Sequence, residues 1–152
     1  MRESYLSIVR LIERLHRHFL DVLRVELRRQ GIEDINPVQA LLLSNIGDEE
    51  MVIRDLKDRG YYHGSNVSYN IKKLTEFGYL AQERSSHDRR SVRLKLTDKG
   101  MKLCTVIRAQ QNDIADKLAK TGDFGEELTK SGTTLQRLER AWTDIIRYGF
   151  GG

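Results

Sequence analysis

The sequence predicts a mainly α-helical fold carrying one small β-hairpin. Apolar residues recur at three- and four-residue steps through long stretches on either side of the centre, which is the period of helices with one buried face. The 152 residues include a single Pro, and long helices exclude Pro because it lacks a backbone donor and clashes with the preceding turn. Only Val92–Leu96, where Val92, Leu94 and Leu96 alternate with Arg93 and Lys95, has the clear two-residue period of a half-buried strand. The length suits one ordinary hydrophobic core, and a composition 39% apolar and 32% charged is that of a folded, soluble chain.

The first helix is expected over residues 4–30. Ile8, Ile12, Leu15, Phe19, Val22 and Leu23 form its stripe, Arg10, Arg14, Arg17 and Arg24 stand among the intervening positions, and Gly31 ends it. The second begins at Asn36-Pro37-Val38-Gln39: Asn36 can accept from free backbone donors, Pro37 suits the first helical position, and Gln39 can reach back as in a capping box. Ala40, Leu41, Leu42, Leu43 and Ile46 make this helix apolar nearly all round, so it should be buried before Gly47 stops it. An extended Met51-Val52 leads to a third helix over residues 53–59, closed by Gly60. After the turn Tyr61-Tyr62-His63-Gly64, a fourth helix runs from about Ser65 to Phe77 and ends at Gly78. Strands over 79–84 and 92–96 flank the polar loop Ser85-Ser86-His87-Asp88-Arg89-Arg90-Ser91. Thr97 caps a fifth helix over 98–120 with Leu103, Val106, Ile107, Ile114 and Leu118 as its apolar positions. Thr121-Gly122-Asp123 breaks it, and a sixth helix over 125–148 carries Leu128, Leu135, Leu138, Trp142 and Ile145. No internal repeat or low-complexity segment is visible.

The net charge of +4 is unevenly spread. Residues 1–53 hold seven basic and nine acidic groups, residues 54–102 twelve and six, and residues 103–152 seven of each, so the basic excess of +6 lies in the middle third. Such a local excess is the footprint of a polyanion-binding module, with a solvated charged face as the plain alternative.

The fourth helix favours the first reading. At 100° per residue, Val67, Ile71 and Leu74 share one side. Ser65, Tyr69 and Lys72 point the opposite way, with Asn66, Ser68 and Lys73 on the flanks and Glu76 the one acid, at the far end. Hydroxyl, amide and ammonium groups of this kind meet base edges and phosphates. A helix, a short Gly-containing turn, a polar-faced helix and a hairpin with an Arg-bearing tip make a winged helix-turn-helix. The recognition helix suits the major groove of double-stranded DNA. A tip with His87, Arg89 and Arg90 suits the minor groove, and Asp88 can hold a neighbouring guanidinium in place. The alternative for the tip is a solvated polar turn.

The run Asp88-Arg89-Arg90 followed by Ser91-Val92-Arg93-Leu94-Lys95-Leu96-Thr97-Asp98-Lys99-Gly100 resembles the wing signature of the MarR transcriptional regulators, Asp-x-Arg, a strand, then Leu-Thr-x-x-Gly. Asn66-Val67-Ser68-x-x-Ile71-x-x-Leu74 followed by Gly78-Tyr79-Leu80 is similar to that family's recognition helix and its exit. The likeness extends over the whole chain. It implies wing roles for Asp88 and Arg90 and DNA contacts from Ser65, Asn66, Ser68, Tyr69, Lys72 and Lys73. The third helix departs from the pattern in lacking a small polar cap, and the turn before the fourth is more aromatic than usual. Residues 60–70 are similar to the LdtR-type branch.

The terminal helices carry apolar stripes too long for the central module to cover. Pairing with a second copy is expected, packing of these helices on one another within a monomer being the alternative. The expected division is 1–34 as an N-terminal dimerisation helix, 35–100 as the winged-helix DNA-binding module and 101–152 as C-terminal dimerisation helices. The MarR resemblance implies an effector pocket for a small aromatic or anionic molecule at the junction, with His16, Arg17 and Asn36 as candidates. A surface or interfacial role is the plainer reading of His16. The resemblance implies repression of a promoter at a pseudo-palindromic operator, relieved by the effector, with activation as the open alternative.

Other classes find little support. No Gly-rich phosphate loop, nucleophile elbow or pair of strand-end carboxylates suggests an enzyme. The four His and one Cys form no zinc-ligand spacing, so no metal or other cofactor is expected. Cys104 stands among Met101, Leu103, Ile107 and Arg108 on a helix, where a packed thiol is expected over a redox sensor. No apolar run approaches membrane-spanning length and the N-terminus lacks a signal-peptide core, which points to the cytoplasm. The rival reading is a winged-helix protein–protein adaptor, which would expose apolar anchors on its fourth helix.

Overall fold

The computed structural model describes residues 1–47, 51–58, 64–84 and 91–150. In chain order these form α1 (Arg2–Arg29), α2 (Pro37–Ile46), β1 (Met51–Val52), α3 (Ile53–Asp58), α4 (Gly64–Glu76), β2 (Leu80–Arg84), β3 (Val92–Leu96), α5 (Asp98–Ala119) and α6 (Phe124–Tyr148). The mainly α fold with a β-hairpin is therefore as expected, with ends moved by one or two residues, as fraying helix termini allow. Arg59 and Gly60, expected to close α3, lie outside the described residues. The chain divides into two compact units, Met1–Gln110 and Gln111–Gly152.

In the first unit, β1 is a paired strand, which the sequence marked only as extended. The sheet order is β1-β3-β2, antiparallel throughout, with Met51 opposite Leu94 and Leu80 opposite Leu96. Leu94 and Leu96 are buried while Arg93 and Lys95 are exposed, so the alternation in β3 sorts core from surface. Leu42, Leu43, Leu56, Val67, Leu74 and Leu94 are fully buried around a single core. Cys104 is half-buried against it.

Local chemistry sets the boundaries. At the end of α1, the Gly31 N–H donates to Arg28 O and the Ile32 N–H to Leu27 O, with Gly31 at φ +67°. The exit of α4 repeats this geometry: Gly78 N–H to Thr75 O, Tyr79 N–H to Leu74 O, and φ +80°. Both are Schellman closures, in which the left-handed residue favours Gly. The capping box of α2 is complete, the Gln39 N–H donating to Asn36 Oδ1 and the Asn36 N–H to Gln39 Oε1, each at 2.9 Å.

Only Leu23, Glu26 and Leu27 of α1 are buried. Glu26 was not legible as a core position. Its carboxylate accepts from Arg29 Nη2 at 2.7 Å and Gln30 Nε2 at 2.8 Å, which offsets its desolvation. The Arg29 guanidinium holds its pKa below the ordinary 4.5 against the opposing effect of burial, and the Gln30 amide lowers it further. Toward the N-terminus of α1, Tyr5, Leu6, Leu11 and Leu15 are exposed.

The second unit contains the end of α5 and all of α6, which has no buried residue. Leu128, Leu135, Ile145 and Ile146 are exposed on α6. Among the described residues, no helix is long and apolar enough to cross a membrane.

Candidate nucleic-acid interface

The apolar spacing of α4 fixes which side faces outward. Val67, Ile71 and Leu74 are at most 2% exposed, and burying them leaves Asn66, Ser68, Tyr69 and Lys72 at the surface, Tyr69 with 59% of its area free. Lys73 is half-buried and pairs with Glu76 Oε2 at 3.2 Å, while its ammonium lies 5.9 Å from the Tyr69 ring centre. The lone acid of the recognition helix is thus matched by a cation one turn earlier. Ser65 lies on the first turn of α4. His87, Asp88, Arg89 and Arg90, the candidate wing-tip contacts, lie outside the described residues.

The strands that lead to the tip are tied to this helix. Gln82 Nε2 of β2 donates to Thr75 Oγ1 of α4 at 3.1 Å, and that hydroxyl donates to Ile71 O at 2.7 Å.

Sequence reading missed two polar contacts, one on the inner side of α4 and one just past its exit. Asn70 is 8% exposed, and its Oδ1 accepts from Gln39 Nε2 of α2 at 3.2 Å. Tyr79, 2% exposed, donates its hydroxyl to Asp34 Oδ1 at 2.9 Å. Burial and then the Asp34 carboxylate push the Tyr79 hydroxyl above its usual pKa, so it stays a donor. Lys99 Nζ stands 4.2 Å over the Tyr79 ring centre, donates to Phe77 O at 2.9 Å and reaches Asp34 Oδ2 at 3.4 Å. One signal was available: a Gln that closes a capping box with its Oε1 still has an amide NH2 to place. For Asp34, 45 residues before Tyr79 and 65 before Lys99, there was none.

The candidate effector residues are dispersed. His16 and Arg17 are exposed on α1, where Arg17 Nη1 pairs with Glu13 Oε1 at 3.0 Å. The Asn36 side chain is the α2 cap. A cavity of about 210 Å³ at the C-terminal end of α1 is lined by Gln30, Ile32, Tyr79, Lys99, Lys102, Leu103 and Val106, without any of the three. Arg17 lines a pocket of about 420 Å³ on α1 with Ser7, Arg10, Glu13 and Arg14. Among the described residues, no group of three or more His, Cys, Asp or Glu could hold a metal ion.

Residues 35–100 match the family model of the winged helix DNA-binding domain. The chain is 38% identical over 146 residues, 96% of its length and 75% of the relative's, to the exopolysaccharide II synthesis transcriptional activator ExpG of Rhizobium meliloti (strain 1021). Its fold is that of Streptococcus pneumoniae FabT, solved in complex with DNA (TM-score 0.76, 23% identity, covering 93% of this chain and 99% of that one). A MarR transcriptional regulator from Methanosarcina mazei Go1 shares it too (TM-score 0.74, 22% identity, covering 90% and 97%).

The chain belongs to the family of the transcriptional activator ExpG, with a winged helix DNA-binding domain and the fold of the MarR regulators. It is a transcriptional regulator with a winged-helix DNA-binding domain. In this winged-helix protein the matched residues run from Ile35, just before the α2 cap, to Gly100 in the first turn of α5, and so include α4 and both wing strands.

Proposed function

We propose that the protein is a homodimeric regulator that reads a pseudo-palindromic operator in double-stranded DNA. In this reading α4 enters the major groove and the loop 85–91 the minor groove. The observation that carries it is the outer face of α4: exposed amide, hydroxyl, phenol and ammonium groups, with its one acid already paired to Lys73. Ser65, Asn66, Ser68 and Tyr69 read base edges, Lys72 and Lys73 meet phosphates, and His87, Asp88, Arg89 and Arg90 form the wing contact. An adaptor would expose apolar anchors on this face; Val67, Ile71 and Leu74 are buried, and Tyr69 is the exposed aromatic among the described residues of α4.

Residues 1–34 and 101–152 serve as dimerisation elements around the module 35–100. The exposed Leu6, Leu11 and Leu15 of α1 and Leu128, Leu135 and Ile146 of α6 supply apolar area for a second copy. Two-fold pairing then presents two recognition helices to half-sites about one DNA turn apart. A small anionic or aromatic effector lowers DNA affinity by favouring another spacing of the helices. The Lys99 and Lys102 cavity offers charge and apolar wall for such a molecule, more than His16, Arg17 and Asn36 do.

Occlusion of a promoter makes the protein a repressor. The relative from Rhizobium meliloti carries the name of an activator. That favours a second reading, in which the operator lies upstream and occupancy raises transcription. Selection of duplexes from a random pool, followed by binding across a salt series, tests the core proposal. A selected palindrome whose affinity falls steeply with salt is expected; no binding at low salt refutes it. Transcription in vitro from a promoter carrying the selected site decides the direction.

A further inference from the structure

Besides the contacts of Gln82, Thr97 and Lys99, two directional polar contacts hold α4 and its exit from residues 34–39, the link from α1 into α2. Gln39 supplies the first. Its Oε1 is committed to the Asn36 N–H, so its NH2 must face Asn70, and the 3.2 Å bond to Asn70 Oδ1 follows from the capping box. The Asp34 carboxylate supplies the second by accepting from Tyr79, which directly follows the Gly78 closure of α4. Lys99 buttresses that contact from above the ring. One contact grips the middle of α4 and the other its exit.

Among the described residues of α4, the other buried groups are Val67, Ile71 and Leu74. Apolar burial is non-directional and leaves small rotations and slides of a helix cheap. A hydrogen bond loses strength within a few tenths of an ångström and a few tens of degrees. Base reading needs side chains held to about 0.5 Å and 10–20°.

We propose that Gln39 and Asp34 are specificity-determining positioning residues. Through Asn70 and Tyr79 they set the rotation and axial placement of α4, and so the aim of Asn66, Ser68 and Tyr69, without touching DNA. Phosphate contacts from flexible lysines depend far less on that placement. The two residues therefore govern discrimination between sequences more than general affinity. This rests on the DNA-reading proposal above.

The test compares binding of a duplex selected by the wild-type protein with a scrambled duplex of equal length, at one salt concentration, with active fractions from stoichiometric titration. Gln39→Met keeps length and bulk but removes both amide contacts, and Tyr79→Phe removes one oxygen. Each is expected to weaken the selected duplex about tenfold and the scrambled one by less than about twofold. Gln39→Glu is expected to restore the ratio. Its carboxylate still accepts from the Asn36 N–H, suits the third helical position, and accepts from Asn70 with that amide turned over. Variants that keep the wild-type ratio, or lose both affinities in parallel, overturn the inference. Should Gln39→Met fail to fold, Tyr79→Phe carries the same comparison alone. A wild-type protein that prefers no sequence refutes instead the DNA-reading proposal, and with it the role assigned to Gln39 and Asp34.

Discussion

Replacing Gly100 by Ala is expected to destabilise the fold, although Ala is the better helix former by about 1 kcal/mol. Gly100 lies in the first turn of α5, where a Cβ would stand 2.3 Å from Tyr79 O and 3.3 Å from Tyr79 C. Reaching even 3.0 Å requires a movement of about 0.7 Å, and neither side is free to give it. Tyr79 O accepts from the Thr97 N–H at 3.1 Å, and the Thr97 hydroxyl donates to Gly78 O at 2.6 Å, clamping the start of α5 to the exit of α4. Overpacking of this kind costs about 1–3 kcal/mol, and stretching one of these bonds about 1 kcal/mol more. After the propensity gain, the net loss is about 1–3 kcal/mol. Urea unfolding followed by far-ultraviolet circular dichroism, at fixed protein concentration because association adds to stability, measures it. Gly125→Ala is the control: nothing lies within 4 Å of its Cβ, and it should be neutral or stabilising. A Gly100→Ala protein as stable as wild type refutes the steric reasoning.

Three further outcomes are expected. Because Glu26 titrates below 4.5 in the fold, its contribution is present above that pH and lost as the pH falls through its lowered value. Glu26→Gln should therefore lower the urea midpoint at pH 7 and narrow the gap to wild type at pH 3, whereas an equal gap at both would contradict it. Lys72→Ala should weaken selected and scrambled duplexes alike and reduce the slope of log affinity against log salt by about one, and an unchanged slope would remove Lys72 from the phosphate contacts. Leu135→Glu places a charge on an exposed apolar position of α6 and should yield a well-folded monomer by sedimentation; a persistent dimer would take Leu135 out of the interface.

Much of this architecture is local, and local chemistry can be read from sequence. Asn36-Pro37-x-Gln39 forms its capping box wherever the rest of the chain goes, and Gly31 and Gly78 end their helices by backbone geometry alone. The outward face of α4 follows from three apolar positions, so the helical period by itself places Asn66, Ser68, Tyr69 and Lys72 outside. What escaped depends on contacts between distant segments. Met51-Val52 is too short to announce a strand, and it pairs only because Leu94 and Arg93 lie opposite. Glu26 reads as a surface residue because its partners Arg29 and Gln30 are local, and only the packed fold shows it buried. Asn70 and Tyr79 sit beside the residues chosen as DNA contacts, but their partners come from the α1–α2 link.

That link also bears on how a regulator with so small a net charge could read DNA with discrimination. The basic excess is confined to residues 54–102, and a charge excess of this kind says nothing of sequence. Discrimination needs α4 held rigidly, and it needs the two α4 helices of a dimer held at a fixed spacing. The segment 34–39 begins within five residues of the end of α1, the helix whose exposed apolar face is proposed to meet the second copy. On the proposed dimer reading, a shift of α1 would reach Asp34 and Gln39 over a few residues, and α4 through their hydrogen bonds. Apolar packing alone would absorb part of such a shift. If dimer geometry sets operator affinity as proposed, it requires this stiffness, and the polar contacts of Asp34 and Gln39 would supply it.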